Sequence, residues 1–170
     1  DLRDDDIGAT AQLLADSPDA TVLLQAPVEA RLGSCICTGR PDIIRLSRGK
    51  TGSLNITVTD VKASRIERTE HRIQVAAYVK AVTQLLEQQK ITDAEISGSV
   101  ITQGENGSLA TVATNEPFEL DIYLKILDQL VADKDSTTRR VLDAPFADVN
   151  YHLSYKCDGC EYNAVCMWDS

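Results

Sequence analysis

The spacing of apolar and polar positions changes several times along the chain. Residues 7–15 (IGATAQLLA) predict a short helix, ended by Ser17-Pro18, after an acidic opening (DLRDDD) expected to fray. Residues 21–31 (TVLLQAPVEAR) read as one strand. Residues 34–38 lead into a second at 41–48 (PDIIRLSR), and the turn at 48–52 (RGKTG) joins it to a third at 54–62 (LNITVTDVK), a hairpin signal. After a polar stretch at 63–70, the longest helical pattern runs from Thr69 to Lys90. Its apolar positions Ile73, Ala76, Ala77, Val79, Val82, Leu85 and Leu86 recur at helical spacing. A strand is expected at 94–104, a turn at Glu105-Asn106-Gly107 and a returning strand at 108–114 (SLATVAT). Residues 118–133 form another amphipathic pattern with Pro117 near its start. The order is helix, three strands, helix, then further strands and a helix, with no internal repeat and no low-complexity tract.

One strand breaks its own rule. Alternate residues of a strand share a face, so Leu54, Ile56 and Val58 share theirs with Asp60 and Lys62. An apolar face thus ends in a carboxylate and an ammonium, and burying such charges without compensation costs several kcal/mol, as an order of magnitude. Either the pair is a surface ion pair on a fraying strand end, or the strand end opens into a cleft. Asp42 behaves similarly, sharing a face with Ile44 and Leu46. The hairpin would bring Asp42 near Asp60, and two neighbouring carboxylates repel unless a divalent cation joins them. A few carboxylate oxygens, completed by water and substrate phosphate, suit Mg2+. Lys62 is then placed to orient or activate a water, or to stabilise charge on phosphorus. On the long helix Gln74 and Tyr78 lie four apart on one face, with His71 on nearly the same stripe. That stripe would border the cleft if the helix packs beside the hairpin; otherwise it is an ordinary exposed face.

Composition narrows the picture. The chain has 170 residues, 43% hydrophobic and 25% charged, which fits one soluble globular domain with a small appendage. No apolar run approaches the roughly 18 residues of a membrane span. The sequence does not open on Met or a signal peptide, and we read it as part of a longer protein. Its net charge of −9 is the wrong sign for a simple nucleic-acid binder. Yet residues 31–72 hold nine Lys/Arg against four acids, a net +5, leaving eight cations and twenty-two acids, −14, on the rest. A local basic face on an acidic body is one reading of this asymmetry, and a fluctuation of surface charge is the other.

Three short motifs then fall into order: Gly39-Arg40-Pro41-Asp42, Asp60-Val61-Lys62, and Gln74 through Tyr78. Together they resemble the G-x-x-D, D-x-K and Q-x-x-x-Y signature of RecB-type nucleases. These belong to the PD-(D/E)XK, or restriction-endonuclease-like, superfamily. The resemblance covers about residues 21–115 and implies an α/β fold with an αβββαβ core, its mixed sheet flanked by helices. It implies a metal-dependent DNA nuclease, acting as an exonuclease on single strands in repair, recombination or CRISPR-type processing. Asp42 and Asp60, with the Val61 carbonyl, would hold Mg2+ or Mn2+; Lys62, Gln74 and Tyr78 would orient water or DNA backbone. Arg65, Arg68 and Arg72, which follow the active-site strand, are candidates for phosphate contacts. Many relatives carry a metal-binding His ahead of the first Asp. None occurs here before His71, and Gln25 or Glu29 is left for that place.

The five cysteines form two groups, Cys35 with Cys37 and Cys157, Cys160 with Cys166. An odd count without a secretory signal argues for a reducing cytoplasm and, at the C-terminus, for metal or cluster chemistry. The spacing of the last three is similar to that closing the iron–sulfur subset of these nucleases, which implies a structural [4Fe–4S] cluster completed by an upstream Cys. That Cys is expected before residue 1. Cys35 and Cys37 read better as small apolar strand residues. Zinc on the same three thiolates and a fourth ligand such as His152 is the rival. The expected organisation is a nuclease domain over residues 1–150 and a Cys-rich, cluster-binding segment over 151–170, with a helicase or other repair domain as partner. A different function class, a non-catalytic cluster or zinc scaffold in a helicase or repair assembly, remains the alternative. The sequence RGKT at 48–51 lacks the Gly that a phosphate loop requires at position 44, where Ile44 stands. Glu119, Asp121 and Asp128 are most simply a solvated helix face.

Overall fold

The computed structural model of the protein describes residues 4–16, 20–49, 53–103, 117–145 and 148. The strand expected at 108–114 and Cys157, Cys160, Cys166 and His152 lie outside the described residues. The chain opens with helix α1 (Asp4–Asp16), followed by strands β1 (Thr21–Leu24), β2 (Val28–Leu32), β3 (Cys35–Gly39), β4 (Ile43–Arg48) and β5 (Leu54–Lys62). Helix α2 (Thr69–Gln88), strand β6 (Ala94–Thr102) and helix α3 (Leu120–Leu127) come next. A π-helical turn (Asp128–Ala132) and helix α4 (Thr137–Asp143) close the described fold.

Four strands form a mixed sheet in the order β1-β4-β5-β6, antiparallel except for the β5–β6 pair. A parallel pair cannot be joined by a tight turn, and α2 supplies the crossover. The buried stripe of α2 is Val75, Ala76, Val79, Ala81, Val82, Leu85 and Leu86. It packs on β5 and β6 and, along the other flank, on β2. Beneath it lie Ile44, Leu46, Ile56 and Val58, each 1% exposed or less. Full burial of each such side chain contributes about 1.5–3 kcal/mol. The opposite face of the sheet carries Arg45, Thr57, Thr59, Ser97 and Ser99, as the alternation requires. Among the described residues no helix is long and apolar enough to cross a membrane.

The structure corrects two elements. The strand expected over 21–31 is two strands in different sheets. Gln25 adopts a left-handed backbone (φ 51°) and is followed by Ala26 and Pro27. Pro27 has no N–H to give a ladder, so β1 stops at Leu24 and pairs with β4, while β2 turns away to pair with β3. Residues 34–38 therefore do not lead straight into β4; they form β3 of a separate hairpin. Gly33 turns that hairpin at φ 59°, and a Cβ there would sit 2.4 Å from the Ala132 carbonyl oxygen. The outer edge of β2 is closed against α2 by Gln84. Its amide accepts from Arg31 N–H (2.8 Å) and donates to Arg31 O (2.9 Å), standing in for a neighbouring strand. The second correction concerns 118–133: regular helix ends at Leu127 and a wider turn follows, with Asp133 N–H bonded back to Asp128 O at 2.9 Å.

Candidate active site

The register of the sheet sets the geometry of the site. Leu24 pairs with Ile43, and Ile43 with Thr59. One step further, Gln25, Asp42 and Asp60 fall in a single row across three strands, on the face that α2 covers. At this row the β4–β5 pairing has ended, and the Asp42 side chain replaces it. Asp42 Oδ2 accepts the Val61 backbone N–H at 2.6 Å, and Asp42 Oδ1 accepts the Gln25 side-chain amide. Pro41, fully buried, fixes the approach to Asp42.

Asp60 is 4% exposed, which excludes the surface ion pair on a fraying end. Lys62 Nζ lies 2.5 Å from its Oδ2. That ammonium is the counter-charge of the buried oxygen, and among the described residues Oδ2 has no other hydrogen-bond partner. Burial pushes the Asp60 carboxyl above its ordinary range against the pull of Lys62, and the neighbouring Asp42 carboxylate adds to the rise. The two acids thus lie close enough to sense each other, with the Lys62 ammonium as the counter-charge at Asp60.

From Lys62 a row of contacts runs up α2. Lys62 Nζ donates to Gln74 Oε1 at 2.7 Å, and Gln74 Nε2 donates to the Tyr78 hydroxyl at 2.7 Å. The Tyr78 ring lies over Gly39, where a Cβ would come within 2.5 Å of the ring. The first and last of the three motifs therefore touch, and Gly39 is required because any side chain would occupy the place of the ring. Gln74 and Tyr78 share a helical face, and through these contacts that face meets Lys62.

Between β5 and α2 the chain makes a braced loop. Gln103 N–H bonds Ser64 O at 3.1 Å, and Ser64 Oγ bonds Ile66 O at 3.0 Å. Arg65, Ile66 and Arg68 are exposed on it. Arg68 is 3.6 Å from Glu70, and its backbone N–H donates to His71 Nδ1 at 3.2 Å, so His71 caps α2. Arg72 is engaged inside the fold. It pairs with Glu67 at 2.6 Å, donates to the Tyr123 hydroxyl at 2.9 Å, and lies over the Phe118 and Tyr123 rings at 5.4 and 5.5 Å. The Glu67 and Tyr123 hydrogen bonds hold its pKa above the ordinary guanidinium value.

Residues 10–167 match the sequence profile of the PD-(D/E)XK nuclease superfamily. The chain belongs to that superfamily. Among curated proteins, none matches it. The mixed sheet flanked by helices is consistent with the restriction-endonuclease-like fold of this PD-(D/E)XK protein.

PD-(D/E)XK nucleases generally use divalent metals such as Mg2+ or Mn2+. The residues present fit such an ion. Asp60 Oδ2 is a buried oxygen faced only by the Lys62 ammonium among the described residues, and Asp42 stands beside it in the same row. Among the described residues no group of three or more His, Cys, Asp and Glu comes together. Two carboxylates leave most of a coordination shell to water, backbone carbonyl and phosphate oxygens, as Mg2+ prefers.

Sequence reasoning missed three contacts. Gln25, named beside Glu29 for the place of a metal-binding His, is 17 residues from Asp42 and reaches it only because of the left-handed corner; the Gln-Ala-Pro stretch was the available signal. The Val61 N–H contact is a backbone event with no residue signature. The Arg72, Phe118 and Tyr123 cluster depends on how α3 docks, which local spacing does not encode. Cys35 and Cys37 are half-buried free thiols, and burial, with Cys35 beside it, raises the Cys37 pKa.

Proposed function

We propose that this PD-(D/E)XK protein is a Mg2+- or Mn2+-dependent deoxyribonuclease of the RecB type, an exonuclease that favours single-stranded DNA. The observation that carries this reading is the single contact row Asp42, Asp60, Lys62, Gln74, Tyr78. It joins all three motifs, and it contains a buried carboxylate oxygen faced only by the Lys62 ammonium among the described residues. Asp42, Asp60 and the Val61 carbonyl are the proposed ligands. A bound divalent ion would supply charge neutralisation at the scissile phosphate and acidify water.

The protein groups have separate tasks. Lys62 Nζ, held between Asp60 Oδ2 and Gln74 Oε1, has a further N–H to direct at the attacking water or a non-bridging phosphate oxygen. Tyr78 accepts from Gln74, which leaves its own hydroxyl proton for a backbone phosphate. Water adds to phosphorus and the bond to the leaving sugar oxygen breaks. Arg65 and Arg68 meet neighbouring phosphates. Arg72 stands behind them, and a phosphate contact at Arg72 would compete with Glu67 and Tyr123.

Residues 1–150 form the nuclease domain in this reading, and 151–170 the cluster segment. Cys157, Cys160 and Cys166 hold a [4Fe–4S] cluster with a fourth thiolate from elsewhere, in a cytoplasmic protein that works beside a helicase or other repair domain. Anaerobically purified protein with stoichiometric iron and sulfide supports the cluster; colourless protein with stoichiometric zinc replaces it. The decisive experiment is cleavage of end-labelled single-stranded DNA with Mn2+. Asp60→Ala and Lys62→Ala should each lower the rate about a hundredfold to a thousandfold, the scale for a lost charge-stabilising group. A folded wild type inert with Mg2+ and Mn2+ on single- and double-stranded DNA would overturn the reading in favour of a scaffold.

A further inference from the structure

We propose that Gln25 is a positioning residue that sets the orientation of Asp42 for its cation; the inference rests on the metal-nuclease reading above. Three observations carry it. First, Gln25 is the next rung of the β1–β4 ladder after Leu24 and Ile43, and its backbone N–H donates to Asp42 O at 3.1 Å. Second, its side-chain amide donates to Asp42 Oδ1 while Val61 N–H holds Oδ2. Two donors, one on each oxygen, fix the plane of the carboxylate. Each oxygen keeps a second lone pair for a metal. Third, Gln25 makes these contacts from a left-handed backbone, φ 51°, that disfavours a side chain with a Cβ. Glycine would occupy the corner with less strain but carries no donor, and asparagine is one methylene shorter.

The chain thus bears local strain where a long amide reaches the first acid of the site. Such strain persists where the surrounding structure over-determines it, and it clusters at functional sites. Arg40 braces the same corner, with Nη1 3.5 Å from Gln25 O. Asp42 and its two donors form a ligand with a fixed outer layer, an arrangement whose loss typically lowers metal affinity 10- to 100-fold.

A residue that only closed a turn and one that positions a ligand predict different outcomes for the same substitutions. Gln25→Gly relieves the backbone, so the melting temperature in EDTA should hold or rise. Mn2+ affinity, read by titration calorimetry at fixed pH, should fall about 10- to 100-fold. Gln25→Met keeps the length of the side chain without the donor and should show the same loss of affinity. Both variants binding Mn2+ like wild type would overturn the inference and leave the nuclease reading standing. A wild type that binds no Mn2+, like its Asp42→Asn variant, would overturn both.

Discussion

Asp60 is the residue on which the molecule departs furthest from ordinary packing. A carboxylate 4% exposed, with one oxygen faced only by the Lys62 ammonium among the described residues, carries a desolvation cost. The Lys62 ammonium offsets part of it, but the direction of the Asp60 shift says that burial prevails. Asp60→Asn keeps the shape and removes the charge. In EDTA its melting temperature should equal or exceed that of wild type, and added Mn2+, which raises the wild-type value by binding the folded state, should no longer do so. A fall of several degrees in EDTA would instead make the Lys62 ion pair the dominant feature. The charge was legible in the sequence because it interrupts an alternation that the six earlier strand positions obey. The contact of Gln25 with the neighbouring Asp42 was not, because a contact made through a left-handed corner leaves no period to read.

At the scale of elements, β5 and α2 were legible nearly to their ends. Each has one dominant period, 2.0 for the strand and 3.6 for the helix, and Leu54, Ile56 and Val58 of β5 lie on one face. The break between β1 and β2 was hidden because residues 21–24 and 28–31 both look like strand, and the corner between them is three residues long. Element docking then depends on a few close approaches. Gly39→Ala would place a methyl 2.5 Å from the Tyr78 ring and push the ring off Gln74. We expect a loss of about 1–3 kcal/mol, typical of overpacking, seen in urea unfolding. A lower cleavage rate should accompany it. With Tyr78→Ala the stability losses should be strongly non-additive, since one methyl and one ring contest the same space. Arg72 works differently, since it ties α2 to α3 through Glu67, Phe118 and Tyr123. Arg72→Ala should lower stability by about 1–3 kcal/mol from lost charge-assisted hydrogen bonds and ring contacts, measured by the same unfolding. The metal affinity of the folded protein should stay unchanged.

At the scale of the molecule, the cations of residues 31–72 do not make one basic face among the described residues. Arg45 lies on the sheet face opposite α2, Arg31 lies beside Gln84 on the far flank of α2, and Lys62 and Arg72 are engaged in internal contacts. The charge surplus read from the sequence is therefore divided among surfaces, and the loop after β5 keeps Arg65 and Arg68 exposed beside the candidate site. On an acidic body of net charge −9, DNA approaches against a mean repulsion, and binding must be local to a few cations. Binding to single strands then loses about 0.7 in the logarithmic salt slope for each phosphate contact removed. Arg65→Ala with Arg68→Ala should flatten that slope by about 1.4, read by fluorescence anisotropy of labelled single-stranded DNA in EDTA across a salt series. Arg45→Ala, which matches either single substitution in charge change and lies on the opposite sheet face, should leave the slope nearly unaltered. Equal flattening by Arg45→Ala would mean that DNA responds to net charge alone, and would remove the loop after β5 from the interface.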